Sequence, residues 1–350
     1  MKRSLPEELA DNSNKKPRLS LDSLLDVTSL STHEELAQRF TTIAHELCNC
    51  THLRLHTGSG SYLDYSIAEV EFYLMKDGHH DPFCHGADAQ KVLGHWYFHR
   101  APTRAGGPSA GTSSTTSAAG GYRGGTRKGL DLTFGGPVGS GAVGGILLRS
   151  IRRTSDDKLI SGPSLLVDEL LKQSSVTSVA ALVASWDNLA AFRNPDSTSS
   201  TSLSRYMELV SRSDAQLPVH KSPRIGLDLS HKSTVASVTD ERVTFVALPY
   251  RFFVRPDTLT ANGRMQTYVG LYEAFATDPS LKDNPQRVLA KVCGAMGLKT
   301  KSGEEYAASY RTGLKSANVK KFVGVKTSSP KAYLEMVGAL RTYLARPAPE

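Results

Sequence analysis

The stretch that most constrains this chain is Ile67-Ala68-Glu69-Val70-Glu71-Phe72-Tyr73-Leu74. Side chains of a strand alternate between two faces, so this run places Ala68, Val70, Phe72 and Leu74 on one side and Glu69, Glu71 and Tyr73 on the other. The apolar side demands a core. The polar side sets carboxylates beside a phenol on rigid backbone. Taken alone, that face also suits a solvated strand with cross-strand ion pairs.

The segments around it supply the rest of an architecture. Ser31-Thr32-His33-Glu34 has capping-box spacing, and Leu36, Phe40, Ile43 and Leu47 follow at helical intervals. Strands are expected at 52–56, 65–74, 130–134, 145–151, 224–229 and 243–254, with helices at 164–173 and 177–192. After Pro256 the chain turns helical, with Val288, Leu289, Val292 and Met296 on one face and an amphipathic tail from Pro330 to Leu344. That tail reads either as a packed extension or as a partner-binding helix. The pattern predicts an α+β fold, a curved, mostly antiparallel β-sheet surrounded by helices, with a helical C-terminal extension over 257–350.

Two segments lack anything to pack. Residues 1–30 mix charge, Pro, Ser and Asn, and are expected to form a disordered basic arm. Residues 101–121 are rich in Gly, Ser, Thr and Ala and read as a flexible insertion between strands of the 31–256 domain. A third soft stretch, Ser/Thr-rich, covers 194–204. In the arm, Lys2-Arg3 and Lys15-Lys16-Pro17-Arg18 have the layout of a bipartite nuclear-import signal, or of a tail that brushes DNA. Lys plus Arg outnumber Asp plus Glu by 42 to 34, a net charge of +8 that favours polyanionic partners. Cys48, Cys50, Cys84 and Cys293 are too sparse for a disulfide scaffold and suit a reducing compartment. The nearest approach to a membrane span, Val176 to Phe192, is broken by Ser185, Asp187 and Asn188, and the N-terminus is too polar for a secretory signal. A soluble nuclear monomer is expected.

Chemistry-bearing residues then arrive in succession: His79-His80-Asp81-Pro82-Phe83-Cys84-His85, Gly94-His95-Trp96-Tyr97-Phe98-His99-Arg100, Lys128-Gly129-Leu130-Asp131, and Ile146-Leu147-Leu148-Arg149-Ser150. Stacking surfaces, edge hydrogen-bonders and one base to activate water are what a nucleobase pocket requires. Trp96 and Tyr97 fit a core as readily as a stacking platform, and Arg127 and Lys128 could grip phosphate or simply solvate a turn. Cys48, Cys50 and His52, or His79, His80, Cys84 and His85, lack a usual zinc spacing, so neither a metal nor a cofactor is expected.

In this order the motifs resemble the alkyladenine (3-methyladenine) DNA glycosylase family. Ile67–Leu74 parallels that family's Ile-Val-Glu-Thr-Glu-Ala-Tyr-Leu strand, and Gly94–His99 its Gly-x-x-Tyr-x-Tyr strand. Ile146–Ser150 resembles Val-Leu-Leu-Arg-Ala, and Gly162-Pro163-Ser164-Leu165-Leu166 a Gly-Pro-x-x-Leu helix start. Pro223-Arg224-Ile225-Gly226 and Pro249–Arg255 are similar to its closing strands. The likeness runs from about Ser31 to Pro256. It implies excision of damaged, above all alkylated, purines from duplex DNA. Glu71 would activate water for attack on the sugar C1′. Tyr73, His85, His99 and Asp131 would form the base pocket, and Arg149 would orient the carboxylate or a phosphate. With no lysine in the motif strands for a Schiff base, the chemistry would be monofunctional. His99 stands where the family has a second aromatic platform, and Asp131 near its pocket Asn. Tyr122 is the best-placed candidate for its duplex-inserting wedge. Two alternatives remain: a non-catalytic module binding modified nucleic acid, and an N-glycosidase acting on nucleosides or RNA.

Overall fold

The computed structural model describes residues 20–58, 60–101, 120–193, 204–213 and 216–346. The expected import residues Lys2, Arg3, Lys15, Lys16 and Arg18 lie outside these, as does most of the 101–121 insertion.

The strands are β1 (Thr51–Gly58), β2 (Ser61–Lys76), β3 (His79–His80), β4 (Trp96–Phe98), β5 (Leu130–Gly135), β6 (Val143–Arg153), β7 (Leu159–Ser161), β8 (Arg205–Ser211), β9 (His220–Ser222) and β10 (Arg251–Phe253). They form one sheet with the path β4-β5-β6-β2-β1-β8. The strands β3 and β10 pair with β2, β7 with β6 and β9 with β10. Every pairing is antiparallel. The fold is therefore α+β, an open antiparallel sheet surrounded by helices.

The helices are α1 (Leu21–Leu24), α2 (His33–Asn49), α3 (Pro163–Gln173), α4 (Val179–Ser185), α5 (Glu241–Phe245), α6 (Arg264–Thr277), α7 (Pro285–Met296), α8 (Thr300–Ser316) and α9 (Pro330–Leu344). In α2 the apolar spacing turns Leu36, Phe40, Ile43 and Leu47 inward, where Phe40 stacks on Phe72 of β2 with centroids 4.6 Å apart. Its cap sits one residue later than expected. Thr32 accepts from the Glu35 N–H, and the Glu35 carboxylate accepts from the N–H groups of Thr32 and Ser31.

Four other expectations are corrected. Residues 20–30, expected within the arm, pack on the domain: Leu24, Leu25 and Val27 are buried, and Leu25 and Val27 exchange backbone hydrogen bonds with Gly135. Leucines at 21, 24 and 25 supply enough apolar surface to hold this segment against the core. The helix expected over 177–192 stops at Ser185, because Trp186 packs on Phe98 and the next residues bond to the β4 edge, Trp96 N–H to Leu189 and Ala191 N–H to Gly94. Residues 224–229 are not a strand; pairing ends at Ser222, before Pro223. The 243–254 run opens as helix α5, capped by Asp240 accepting from the Arg242 N–H, and only Arg251–Phe253 is strand.

The C-terminal helices gather around a second hydrophobic cluster that also takes in Leu229, Val243, Val246 and Ala247, so residues on both sides of 256 share it. Glycine permits the closest approaches. A Cβ at Gly270 would strike the Lys221 carbonyl of β9. Those at Gly313 and Gly338 would strike each other's helix backbone where α8 crosses α9. No helix among the described residues is long and apolar enough to cross a membrane.

Candidate functional site

Strand register brings the polar residues together. Glu71 stands opposite Leu147 on one side and Arg251 on the other, Leu147 opposite Asp131, and Asp131 opposite Tyr97. Directly paired residues project to the same face, so this row crosses five neighbouring strands with its side chains on one surface. A local irregularity in the β2–β6 register at Glu69 and Ser150 turns Arg149 toward both acids.

Glu71 is wholly buried and accepts three hydrogen bonds. The Ile225 N–H donates to Oε1 at 2.7 Å, while the Tyr73 hydroxyl and Arg149 Nη1 donate to Oε2 at 2.8 and 3.1 Å. Glu69 accepts from Arg251 Nε and Ser150 Oγ, each at 2.5 Å, with Arg149 Nε 3.4 Å away. Burial alone would raise the Glu69 pKa, but the charges of Arg251 and Arg149 and these hydrogen bonds bring it below the usual carboxylate value. Burial, then the Glu71 charge, raise the Tyr73 pKa well above that of a free phenol, so its hydroxyl remains a donor.

Behind this cluster, Arg224 forks onto Asp81, with Nη1–Oδ2 at 2.5 Å and Nη2–Oδ1 at 3.1 Å, both side chains wholly buried. It also donates to the Phe72 carbonyl and lies 4.5 Å from the Tyr73 ring centroid. This clamp fixes the chain just before Ile225, whose N–H holds Glu71.

A cavity of about 220 Å³ opens beside Tyr73. Phe83, Leu147 and Leu227 give it apolar walls, and His85, Gln90, His99, Arg123 and Asp131 line the polar side. Its size suits one flat ring system. Glu71 is not part of the lining; the Tyr73 side chain comes between. A larger, more open groove of about 730 Å³ between α8 and the start of α9 is lined by Ser, Thr and Ala together with Glu305, Lys331 and Glu335. The smaller cavity is the one that adjoins the acid–arginine cluster, through Tyr73, and sets two imidazoles beside a buried carboxylate.

Asp131 is buried, accepting from His99 Nε2 on Oδ1 at 2.7 Å and from Gln90 Nε2 on Oδ2 at 3.1 Å. Glycines leave room for this arrangement: a Cβ at Gly145 would fall on the Asp131 carboxylate and one at Gly129 on the His99 ring. His85 stands at the exposed rim, its ring 4.4 Å from that of His99. Desolvation of the ring, and then the neighbouring His99, lower its pKa to about 4, so the imidazole is neutral at physiological pH.

The structure thus unites Glu71, Tyr73, Arg149, His85, His99 and Asp131. It does not bring the other expected residues to this group. Tyr122 is half-buried on Phe98 under the Arg100 guanidinium, whose Nη2 donates to its hydroxyl at 2.9 Å, so it does not protrude as a wedge. Lys128 is paired with Asp168 at 2.5 Å, and Arg127 is exposed on a short turn. Of the residues considered as zinc ligands, His79 is a core histidine bonded to the Leu74 carbonyl and the Tyr250 hydroxyl, with its pKa lowered to about 4 by burial. Sequence reasoning missed Gln90, Arg123 and the Ile225 N–H. The last has no side-chain signature at all.

No family model matches the chain. Among curated proteins it is similar to "Uncharacterized protein L759" of Acanthamoeba polyphaga mimivirus, 27% identical over 199 residues, which cover 54% of this chain and 75% of the relative. That relative's name states no activity.

Proposed function

We propose that the cavity beside Tyr73 receives a nucleobase turned out of a nucleic-acid strand, and that the chain hydrolyses the N-glycosyl bond of damaged, above all alkylated, purines in DNA. On this reading the sheet and its helices form an alkyladenine DNA glycosylase-like domain. The observation that carries it is the Glu71–Arg149 pair beside a ring-sized cavity walled by Phe83 and Leu147 and edged by His99, Asp131 and Gln90. Arg224 lies over the Tyr73 ring, which is itself part of the cavity wall and can meet a base there. Glu71 takes a proton from water, the oxygen bonds to C1′, and the base departs with the electrons of the broken bond, leaving an abasic site. A cationic, alkylated base is the better leaving group, so one placed carboxylate suffices. For water to reach Glu71, the Tyr73 hydroxyl must give up its hydrogen bond. The net charge of +8 favours a polyanion, and the basic arm would direct the chain to the nucleus.

The burial of Glu71 and its three donors favour a second reading, a module that binds modified bases without cleaving them. Duplex and single-stranded oligonucleotides carrying hypoxanthine, ethenoadenine or methylated purines separate the two. Base release at any lesion supports excision; lesion-selective binding with no release supports the module. Neither binding nor release would overturn both.

A further inference from the structure

We infer that His85, His99 and Asp131 form a binding site for a divalent transition-metal ion, zinc first, at the rim of the cavity. Their ligand atoms, two imidazole nitrogens and one carboxylate oxygen, all lie within 4.8 Å of one another. Ligands bound at about 2.0–2.2 Å in tetrahedral geometry stand roughly 3.3–3.6 Å apart. The cluster needs to open its closest contact, the 2.7 Å between His99 Nε2 and Asp131 Oδ1, by less than about 1 Å, and to draw in by about 1.5 Å at most any pair as far apart as 4.8 Å, which a rotation of the His85 ring at the rim supplies. An ion would sit between those two atoms in place of the hydrogen that now joins them.

Three features make this a built site. Gln90 holds Asp131 Oδ2 and is itself anchored by the Ala87 N–H on its Oε1, which aims the remaining oxygen, Oδ1, at the histidines. A carboxylate fixed by such a partner is what a metal ligand ordinarily has behind it. His99 is seated against Gly129, where a Cβ would collide with its ring on the Nδ1 side, so Nε2 is the nitrogen turned to the acid. The His85 ring has His99 and Tyr97 as ring neighbours and no hydrogen bond among the described residues, and its nitrogens are open to an added ion. The fourth position faces the cavity. Arg123 lines that cavity too, so the favoured fourth ligand is an anion such as hydroxide or a phosphate oxygen. The inference goes beyond base excision and does not rest on it, since ion binding is measured without nucleic acid.

The test is equilibrium dialysis of the full chain against Zn²⁺ with elemental analysis, together with the visible absorption of added Co²⁺. One ion per chain is expected. His85→Ala and Asp131→Asn should each weaken it by at least about 100-fold, and Gln90→Leu by about 10- to 100-fold, as expected for an outer partner. His85 is at the exposed rim, so its alanine variant should melt like the wild type, and loss of the ion there is not loss of the fold. A second cluster of His45, Glu46 and Cys50 on and just after α2 serves as the control, and His45→Ala should change nothing. Failure to take up Zn²⁺ or Co²⁺, uptake that survives His85→Ala and Asp131→Asn, or uptake that disappears with His45→Ala would each overturn the inference.

Discussion

Replacing Arg224 with Met tests the clamp behind the site. The guanidinium and the Asp81 carboxylate are both wholly buried and joined through two hydrogen bonds, and Arg224 also caps the Phe72 carbonyl. Methionine fills much of the same space but, among the described residues, leaves the Asp81 carboxylate with only the Phe83 N–H as donor. Breaking a buried pair from one side costs about 3–5 kcal/mol, because the partner charge stays desolvated. In a chain longer than 250 residues each kcal/mol lowers the melting temperature by roughly 2 °C, so the expected fall is about 6–10 °C. Adding Asp81→Asn removes the stranded charge, and the double variant should melt above the Arg224→Met single variant. Scanning calorimetry of wild type, both single variants and the double variant closes the cycle. A fall under about 2 °C, or a double variant no more stable than Arg224→Met, would refute the assignment of this pair as the support of the Ile225 N–H.

Other expectations are simpler. Glu69 has its pKa below the ordinary 4.5, so its contribution is present above that value and lost as pH falls through the lower, folded one. Melting between pH 3 and 7 should therefore show Glu69→Gln less stable than wild type at neutrality, with the gap narrowing in acid; parallel curves would contradict the charge cluster. Gly145→Ala should cost about 1–3 kcal/mol by displacing Asp131 from Gln90, whereas Gly121→Ala, whose Cβ meets nothing within 4 Å, should leave the melting temperature unchanged. Gly338→Ala should loosen α8 from α9, read as faster proteolysis after residue 300; unchanged digestion would mean that the crossing tolerates a methyl group.

Much of the frame was legible because it rests on local periodicity. The alternation of Ile67–Leu74 gave the acid-bearing strand, and the run from Pro330 gave α9 to its last residue. The cap of α2 was ambiguous by one residue because Ser31/Glu34 and Thr32/Glu35 share the same spacing, and only packing chooses between them. Residues 21–30 were misread since their few leucines are scattered among polar residues, yet each finds a neighbour in the core. The resemblance offered Arg149 as orienting either the carboxylate or a phosphate, and the fold pairs it with Glu71. The grouping of His85, His99 and Asp131 came from the resemblance as a base pocket, but their mutual contacts did not, because they lie on a loop, a strand edge and a central strand that only the fold brings together. Gln90 and the Ile225 N–H act through position in the fold rather than through any motif.

The most direct measurement is single-turnover release of a damaged purine from duplex DNA by wild type and Glu71→Gln, with DNA binding followed in parallel. The account predicts release by the wild type that falls about 10²- to 10⁴-fold in Glu71→Gln while binding persists. Equal release by the two proteins would contradict Glu71 as the base. Absence of release from wild type at every lesion, with binding intact, would contradict excision itself.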